Sequence, residues 1–463
     1  MSKMSRRELL QATAVSGAAI ALAGKTGAQA KPPKPKGKSV AGYAAPKMDR
    51  VRVGFIGVGA RGSGHVSQML LLDGVEIKAI CDNHKPSLDA AIKQCVDKGR
   101  TAPAGYGNGP KDYERMVQRE DLDIVIIATP WEWHVPMCVA AMKAGKHAFT
   151  EVPAALTIDE CWQLVDTAEQ TQRHCMMMEN VNYGREELMV LNMCRLGVFG
   201  ELLHGEAAYI HDLRGQMFEI EHGTGSWRTL HYTKRNGNLY PTHGLGPVAQ
   251  YMNINRGDRF DFLCSVSCPS RVREIYAREK FPPGHDRRKL KFVCGDINTS
   301  IVKTVKGNTL MIQWDEQLPR PYTRHNLIQG TRGVWAGFPN RMVIEAAPDA
   351  PKPQYPTPST DSWTQGADLK PWFDRYDHPL YKRIANDPAN QGGHGGMDFV
   401  MLWRIVYCLR NGLPLDQDVY DAAAWSVITP LSEASVANRG RSMDVPDFTR
   451  GKWKTMQPLG IVS

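Results

Sequence analysis

The chain has 463 residues, of which 42% are hydrophobic and 23% charged, with a formal net charge of +9. This composition excludes a disordered or fibrous protein and is sufficient for two domains with sizeable cores. No basic run carries interleaved aromatic residues, so a nucleic-acid partner is not expected, and no stretch after the N-terminal segment is long enough for a membrane-spanning helix.

The first 30 residues have the order of an export signal. Arg6 and Arg7 precede a weakly apolar segment, and Ala28-Gln29-Ala30 offers the small residues of a cleavage site. This order is typical of a twin-arginine signal peptide, with an ordinary secretory signal or a basic amphipathic helix as alternatives. It predicts a protein that the twin-arginine translocase exports to the periplasm or beyond. Residues 31–49 are expected to form a flexible linker because they are rich in proline and lysine.

A glycine turn opens the next segment, predicted to be a dinucleotide-binding domain over residues 50–183. The run VRVGFIGVGARGSG begins at Val51 and gives a strand, a turn with Gly57, Gly59 and Gly62, and the start of a helix. Such glycines permit a tight turn, a close approach to a pyrophosphate and close packing of the helix on the strand. Asp82 follows Gly62 by 20 residues, at the end of the next apolar strand, where a carboxylate can accept ribose hydroxyls. A purely structural glycine turn is the alternative.

Strand and helix patterns alternate through the rest of this domain. The apolar run Asp123-Ile-Val-Ile-Ile-Ala-Thr-Pro130 is typical of a strand buried on both faces of a parallel sheet. Further strands are predicted from His147 to Glu151 and from His174 to Asn180. Helices are predicted for residues 86–98, 134–144 and 158–170. The fold class is therefore α/β, beginning with a Rossmann domain.

From about residue 184 onward the pattern indicates a second, α+β domain. Long β-like segments cover residues 203–213, 260–268 and 301–314, and the last contains a Lys306-Gly307-Asn308 turn typical of a hairpin. These segments predict an open, mostly antiparallel sheet over the cofactor. Residues 346–358 are expected to form an exposed loop. Helices are predicted for residues 397–409 and 419–431, returning to the first domain.

Several polar residues are candidates for chemistry. Trp131 and His134 follow a strand end and are candidates for the nicotinamide side of a cofactor, whereas packing within the loop is the alternative for the tryptophans. Tyr240 and His243 precede an apolar helix-like segment, and histidine exchanges protons near neutral pH. Tyr209, Arg228 and Tyr322 suit a sugar, and His394 lies in a glycine-rich loop that is a candidate to close over the site. No metal-site motif appears, and the ten cysteines lack paired CxxC spacing, which favours buried free thiols over a disulfide.

Taken together, these segments resemble the Gfo/Idh/MocA oxidoreductases over residues 50–450. That superfamily usually carries Glu-Lys-Pro after its fifth strand, with a catalytic lysine, whereas this chain has Glu151-Val152-Pro153. The usual Asp-x-Gly-x-His of the second domain is here Tyr240-Pro-Thr-His243. The chain is most similar to glycoside hydrolase family 109, the NAD-dependent α-N-acetylgalactosaminidases, in its leader and in GFIGVGARG, WEWH, TEVPAALT, ENVNYGR, NLYPTHGLGP and DFTRGKW.

This resemblance implies a set of site residues. The implied NAD contacts, beside the glycines, are Ala60, Arg61, Asp82, Trp131, Glu132, Trp133, His134, Glu151, Val152, Asn180 and Tyr240. The implied substrate contacts are Tyr209, Arg228, Tyr240, Pro241, Thr242, His243 and Tyr322. The implied substrate is a glycan or glycoside with terminal N-acetylgalactosamine, and NAD is expected to be tightly bound and recycled. Association into a homo-oligomer is left open.

The chemistry implied by the resemblance is net hydrolysis without net redox. Carbon 3 of the sugar is oxidised, the proton on carbon 2 is lost, the group on carbon 1 leaves, water adds, and carbon 3 is reduced again. Within it we assign His243 to proton transfer at the carbon 3 hydroxyl, and Tyr183 or Tyr240 to the base at carbon 2. The alternatives are an NAD(P)-dependent sugar oxidoreductase with net redox turnover and a non-catalytic sugar- or nucleotide-binding protein.

Overall fold

The computed structural model describes residues 32–345, 357–384, 387 and 393–459. The predicted export signal lies outside these ranges, as do residues 346–356 of the predicted proline-rich loop. The helices are α1 (Ala60–Met69), α2 (Lys85–Asp97), α3 (Asp112–Met116), α4 (His134–Lys143), α5 (Ile158–Thr171), α6 (Arg185–Arg195), α7 (Thr224–His231), α8 (Thr242–Tyr251), α9 (Val272–Lys280), α10 (Lys370–Tyr376), α11 (Pro379–Ile384), α12 (Met397–Asn411), α13 (Val419–Ser426) and α14 (Ile428–Ala437). None of the helices in these ranges combines the length and apolar character that a membrane span requires.

The first sheet is parallel and matches the predicted Rossmann arrangement. Its strands are β1 (Val51–Ile56), β2 (Val75–Cys81), β3 (Ala104–Tyr106), β4 (Ile124–Ile127), β5 (His147–Thr150) and β6 (Cys175–Met177). Their order is β3-β2-β1-β4-β5-β6, so the direction of winding reverses between β1 and β4. Ligands bind such sheets at the carboxyl ends of the strands beside this reversal. Every residue of β4 is fully buried, as expected for a strand covered on both faces.

The second sheet is mixed and mostly antiparallel, as predicted. Its strands are β7 (Leu202–Ile210), β8 (Phe260–Ser267), β9 (Asn298–Thr304), β10 (Thr309–Asp315), β11 (Leu327–Gly330), β12 (Gly333–Ala336), β13 (Arg341–Ile344), β14 (Thr364–Gln365) and β15 (Met443–Asp444). The order is β14-β13-β12-β11-β7-β10-β9-β8-β15, in which β7 and β10 run parallel. The predicted hairpin is β9–β10, joined at Gly307 with φ +96°.

Helix α8 packs on strand β7 through a glycine, and this contact places the second domain's polar residues. A Cβ added at Gly244 would lie only 2.3 Å from the backbone nitrogen of Ala208. A larger residue would therefore push the helix off the strand. Since Tyr209 follows Ala208 and His243 precedes Gly244, the same close approach brings these two side chains together.

The C-terminal helices return to the first domain, as predicted. Helix α12 packs on α1, and α13 packs on α5 and β6. The predicted helix over residues 419–431 is instead divided at Val427 into α13 and α14. Pro430 explains the division, because it has no N–H to donate to the carbonyl of Ser426 and so removes a bond from the helical ladder.

The second half of the predicted flexible linker is packed against the domain. Val40 and Ala45 are buried. The Ser39 hydroxyl lies 2.8 Å from the Tyr420 hydroxyl, and the Met48 N–H donates to the Leu409 carbonyl at 3.1 Å. The expectation from proline and lysine content fails here because this half supplies apolar side chains that can be buried.

Two histidines beneath this segment, His147 and His174, are buried. Their burial predicts that the native state loses stability in acid. Burial, followed by the charge of Arg173, lowers the pKa of His147 from 6.5 to about 4. Well above pH 6.5 the ring is neutral in both the native and the unfolded states. As the pH falls toward 4, the unfolded chain takes up a proton that the native ring refuses, which destabilises the native state by about 2 kcal/mol at pH 5. The variant His147→Gln should therefore lose less free energy of unfolding between pH 7 and pH 5 in denaturant titrations.

The control for this experiment is His204→Gln, because His204 is a half-exposed histidine on the second sheet. That variant should lose as much free energy of unfolding between pH 7 and pH 5 as the wild type does. If His147→Gln loses as much free energy of unfolding between pH 7 and pH 5 as the wild type, the acid sensitivity does not come from His147.

Candidate active site

A cleft of about 460 Å³ opens at the carboxyl ends of the first sheet. It is lined from the first sheet by the glycine turn, Asp82, the segment after β4 and the residues after β5. Its other wall comes from the second domain and includes Tyr209, Tyr240 and His243. One continuous cleft therefore joins the predicted cofactor loop to the predicted substrate residues.

The glycine turn has the geometry expected for a dinucleotide. Gly57 has φ +80°, and a Cβ added at Gly62 would lie 2.0 Å from the Gly57 carbonyl oxygen. At Gly59 an added Cβ would meet open space, and α1 begins there with no capping side chain. The first N–H groups of α1 are therefore presented to the cleft, where they can bind a pyrophosphate.

Asp82 lies at the end of β2, on the same side of the cleft. Its carboxylate accepts hydrogen bonds from the N–H groups of Val58 and His84, at 2.8 Å and 2.7 Å. The carboxylate thus holds the glycine turn while it faces the cleft, and it is placed to accept ribose hydroxyls as predicted. Together with the uncapped helix, this donor and acceptor set fits a dinucleotide.

Arg61 joins the glycine turn to two carboxylates. Its guanidinium donates to Glu151 at 2.7 Å and to both oxygens of Asp398 at 2.6 Å and 2.8 Å. Burial opposes the charge on Glu151, but the charge of Arg61 and a hydrogen bond from His65 hold its pKa well below the usual value. Asn180 also donates to Asp398, at 2.8 Å. The predicted contacts Arg61, Glu151 and Asn180 therefore form one network beside Ala60.

The network also includes the predicted glycine-rich loop. His394 lies on the cleft, with Nδ1 at 2.8 Å from Asp398 and 3.1 Å from Arg61. Its ring therefore lies on the cofactor side of the cleft, and closure of the loop over the site stays a prediction. The network fixes helix α12, where Asp398 lies, against the start of α1.

The segment after β4 forms one wall of the cleft. Trp131 is buried and stacks on the Tyr240 ring at 5.7 Å, and Trp133 also lines the cleft. Glu132 lies outside this lining, with its carboxylate 3.7 Å from His231 Nε2. This wall brings the first domain into contact with the second.

His134 lines the cleft, and both of its ring nitrogens face backbone carbonyls. Its Nδ1 lies 2.7 Å from the Pro153 carbonyl and its Nε2 lies 2.9 Å from the Thr129 carbonyl. Burial lowers the pKa of this ring. His134 therefore ties the segment after β4 to the segment after β5, where Val152 faces the cleft.

Three aromatic rings form a cluster on the second domain's wall. His243 lies 5.2 Å from Tyr209 and 5.0 Å from Tyr240, and the two tyrosine rings are 4.9 Å apart. Burial raises the pKa of both tyrosines, so their phenols are protonated at neutral pH. Pro241 and Thr242 begin α8 and are buried behind this cluster, outside the cleft lining.

Arg228 supplies a buried positive charge beside the cluster. Its guanidinium lies 4.8 Å from the Tyr240 ring and 5.0 Å from the Trp131 ring. Although burial opposes this charge, Glu316 at 3.4 Å raises the pKa of Arg228. Glu316 also accepts a hydrogen bond from Tyr232. The sequence pattern did not reveal Glu316, although its place in the polar run after β10 is a weak signal.

Tyr322 stands at the rim of the cluster. Its ring lies 6.0 Å from Tyr209 and 5.1 Å from His211, and its hydroxyl accepts a hydrogen bond from Arg324 at 2.9 Å. The ring is more than one-third exposed. The structure therefore brings this predicted substrate residue near the cluster, at its solvent side.

Tyr183 lies elsewhere, which corrects its assignment as a candidate base. It does not line the cleft, and its hydroxyl donates to Asp416 at 3.2 Å in the protein interior. Burial and the charge of Asp416 raise the pKa of this phenol well above its usual value. Of the two tyrosines considered for carbon 2, the cleft contains Tyr240.

Carboxylates and metal ligands are scarce at this site. Of the described residues that line the cleft, the two with carboxylates are Asp82 and Glu151, and both are already bound to protein groups. Within the described ranges, no group of three or more His, Cys, Asp and Glu side chains is arranged to hold a metal. The ten cysteines all fall in those ranges and are free thiols, most of them buried.

Comparison with known proteins identifies the family. Residues 51–179 match the model of the oxidoreductase family with an NAD-binding Rossmann fold, and residues 183–455 match the C-terminal domain of glycosyl hydrolase 109. The chain belongs to glycosyl hydrolase family 109. It is 59% identical to glycosyl hydrolase family 109 protein 1 of Shewanella sp. strain MR-4 and 60% identical to the family 109 protein of Shewanella putrefaciens, in each case over 100% of both chains.

Solved structures of lower similarity share the fold of this family 109 protein. An NAD-binding oxidoreductase from Klebsiella pneumoniae has a TM-score of 0.65 at 16% identity, and levoglucosan dehydrogenase in complex with NADH has 0.61 at 17%. Each covers 86% of this chain and is itself covered in full. The family 109 protein is thus a glycoside hydrolase with the architecture of Gfo/Idh/MocA oxidoreductases and an NAD-binding Rossmann domain.

Proposed function

We propose that this family 109 protein hydrolyses terminal α-N-acetylgalactosamine by transient oxidation at carbon 3 of the sugar. The observation that carries the proposal is the continuous cleft between the dinucleotide turn and the cluster of Tyr209, Tyr240 and His243. Hydrolysis by two carboxylates needs a free acid and a free base or nucleophile. The carboxylates of the described cleft residues are instead engaged with Arg61, His65 and the glycine turn.

Bound NAD⁺ would supply an acceptor for hydride from carbon 3 and return the same hydride at the end of turnover. His243 takes the proton of the carbon 3 hydroxyl and later gives it back. Tyr240 first gives its phenol proton to water in the cleft, and as a phenolate it takes the proton from carbon 2, which the new carbonyl at carbon 3 has made acidic. Arg228 lies against the Tyr240 ring, and its positive charge stabilises the transient phenolate.

The remaining steps break the glycosidic bond and add water, so the overall reaction is hydrolysis. Loss of the carbon 2 proton expels the glycosidic oxygen from carbon 1, and Tyr240 passes that proton to the departing oxygen, which leaves as an alcohol. The oxygen of a water molecule then adds to carbon 1, and one proton of that water reaches carbon 2 through Tyr240. Tyr209, Arg228 and Tyr322 would hold the sugar through its hydroxyls and acetamido group. A glycan or glycoside with terminal N-acetylgalactosamine is therefore the proposed substrate.

A colorimetric assay without added NAD tests this proposal. The purified protein should release nitrophenol from p-nitrophenyl α-N-acetylgalactosaminide over many turnovers with no net formation of NADH. Stoichiometric NADH from a free sugar, without hydrolysis, would contradict the proposal and indicate a sugar oxidoreductase. Sugar binding without turnover of any kind would indicate a binding protein.

The proposal includes a cofactor that is tightly held and recycled, supported by contacts that cross the cleft. His84 of the first domain stacks on His222 of the second, with ring centroids 4.0 Å apart. Trp131 packs against Trp227 at 5.1 Å. The segment from His222 to Arg228 lines the cleft between these contacts. It would therefore cover a bound dinucleotide and slow its release.

Replacing His222 by alanine should weaken cofactor retention. Loss of one stacked pair is expected to raise the fraction of NAD lost on dialysis by about three- to tenfold, given the usual strength of such pairs. NAD content can be measured in the denatured supernatant after dialysis. His204→Ala, which changes a histidine of the second sheet away from the cleft, should retain NAD as the wild type does. Equal retention in both variants would contradict this role of the stack.

We further propose that the protein acquires NAD before the twin-arginine translocase exports it. This follows from the Arg6-Arg7 leader and from the need for a cofactor that is regenerated in place. Replacing both arginines by lysine should leave the protein, with its NAD, in the cytoplasmic fraction. Unchanged export of that variant would contradict the twin-arginine route.

A further inference from the structure

A buried carboxylate lies directly behind the proposed catalytic histidine. Glu179 follows strand β6, and its side chain is fully buried, with Oε1 2.6 Å from His243 Nδ1. Within the part of the chain that the structure describes, His243 is the one side chain hydrogen-bonded to this carboxylate. No sequence motif singled out this contact, which joins residues 64 positions apart.

The backbone around Glu179 fixes where its carboxylate points. The Val181 N–H donates to Oε1 at 3.2 Å, and the Gln417 side chain donates to the Glu179 backbone carbonyl at 3.1 Å. Gly246 makes room on the other side, since a Cβ there would lie 2.8 Å from the Glu179 Cγ. The carboxylate is therefore held against one edge of the His243 ring.

This geometry determines which nitrogen of His243 faces the cleft. A carboxylate is an acceptor, so a hydrogen bond to it requires the proton of the neutral ring to be on Nδ1. The lone pair of the neutral ring is then on Nε2, which is the nitrogen left for the cleft. A carboxylate at this distance also stabilises the imidazolium that forms when Nε2 takes a proton.

We propose that Glu179 is a positioning residue that holds His243 as its Nδ1–H tautomer and stabilises the protonated ring during turnover. The inference rests on the proposed proton-transfer role of His243 for its effect on rate, whereas the tautomer is a property of the resting protein. Glu179 itself is shielded from substrate by the His243 ring. Its removal should therefore change kcat more than KM.

Nuclear magnetic resonance of the resting protein tests the tautomer without any need for activity. In protein labelled with ¹⁵N at histidine, the His243 signals are those missing from the His243→Gln spectrum. The expected result at alkaline pH is a protonated Nδ1 and an unprotonated Nε2. A His243 ring protonated on Nε2 would overturn the proposal, whether or not the protein proves to be a glycosidase.

Kinetics of Glu179 variants test the effect on rate. Glu179→Gln should lower kcat on the order of 100-fold with KM changed less than about threefold, because a glutamine amide can donate to Nδ1 and favour the wrong tautomer. Glu179→Asp should recover part of the loss. Asp166→Asn changes a buried carboxylate on α5 that pairs with Arg450, outside the cleft, and should keep wild-type kcat.

The two readouts separate the possible failures. A Glu179→Gln protein with wild-type kcat and an unchanged His243 spectrum would overturn the positioning role. If that variant does not fold, Gly246→Ala displaces the carboxylate without removing it and should produce the same fall in kcat. Absence of hydrolysis in the wild type would refute the proposed function, while the spectrum would still decide the tautomer.

Discussion

Replacing His243 by glutamine should lower kcat for p-nitrophenyl α-N-acetylgalactosaminide by about 10²- to 10⁴-fold, the usual contribution of one general acid–base residue. Glutamine keeps a polar group against Glu179 but cannot exchange a proton at the carbon 3 hydroxyl. The protein should still fold and keep its NAD, because His243 belongs to the second domain's wall and not to the glycine turn. Steady-state kinetics and NAD content, measured on the same preparation, check both parts.

His204→Gln serves as the control for this experiment, since His204 lies on strand β7 with its side chain bonded to Thr309. It should retain wild-type kcat. A His243→Gln protein with full turnover would remove His243 from the chemistry, and a loss of activity accompanied by loss of NAD would indicate a structural effect instead.

Replacing Gly62 by alanine should release the cofactor. The added methyl group would lie 2.0 Å from the Gly57 carbonyl oxygen, so helix α1 or the glycine turn must move. Overpacking of this kind costs about 1–3 kcal/mol, which corresponds to a rise in the Kd for NAD of about 5- to 150-fold if the strain is relieved at the turn. Titration calorimetry on the NAD-free protein measures the change.

Gly64→Ala is the matched control, two residues farther along the same helix. Its added methyl group would meet open space, and alanine favours the helix by about 1 kcal/mol over glycine. This variant should bind NAD as the wild type does and be slightly more stable. Equal affinity in Gly62→Ala and Gly64→Ala would contradict the close packing at Gly62.

The first domain could be predicted from the sequence because its signals are local. A continuous apolar run such as Ile124–Ile127 indicates a buried parallel strand by itself, and the glycines with Asp82 indicate the cofactor turn. The second sheet could be predicted as antiparallel, but the place of β7 between β10 and β11 could not. Strand order depends on side-chain packing over long separations, which local periodicity does not contain.

The site could be predicted only in part, because some of its contacts lie within one short motif and others join distant parts of the chain. Tyr240 and His243 share one short motif, and the structure places both on the cleft. The contacts Arg61–Asp398 and Arg228–Glu316 join residues 337 and 88 positions apart, and neither could be inferred from spacing.

Tyr183 shows how such an inference fails. Its position after β6 predicted the ligand side, but the short helical turn Asn180–Tyr183 directs its hydroxyl to Asp416. A strand end therefore predicts the side of the sheet, and the following turn determines which side chain reaches the ligand.

Hydrolysis in D₂O tests most directly whether the glycosidic bond breaks through oxidation at carbon 3. The proposed chemistry removes the proton from carbon 2, and water enters the cleft before that proton is replaced. The released N-acetylgalactosamine should therefore carry deuterium at carbon 2 and ordinary hydrogen at carbon 3, as seen by ¹H nuclear magnetic resonance and mass spectrometry. Complete hydrolysis with ordinary hydrogen retained at carbon 2 would contradict this chemistry and indicate direct displacement by water.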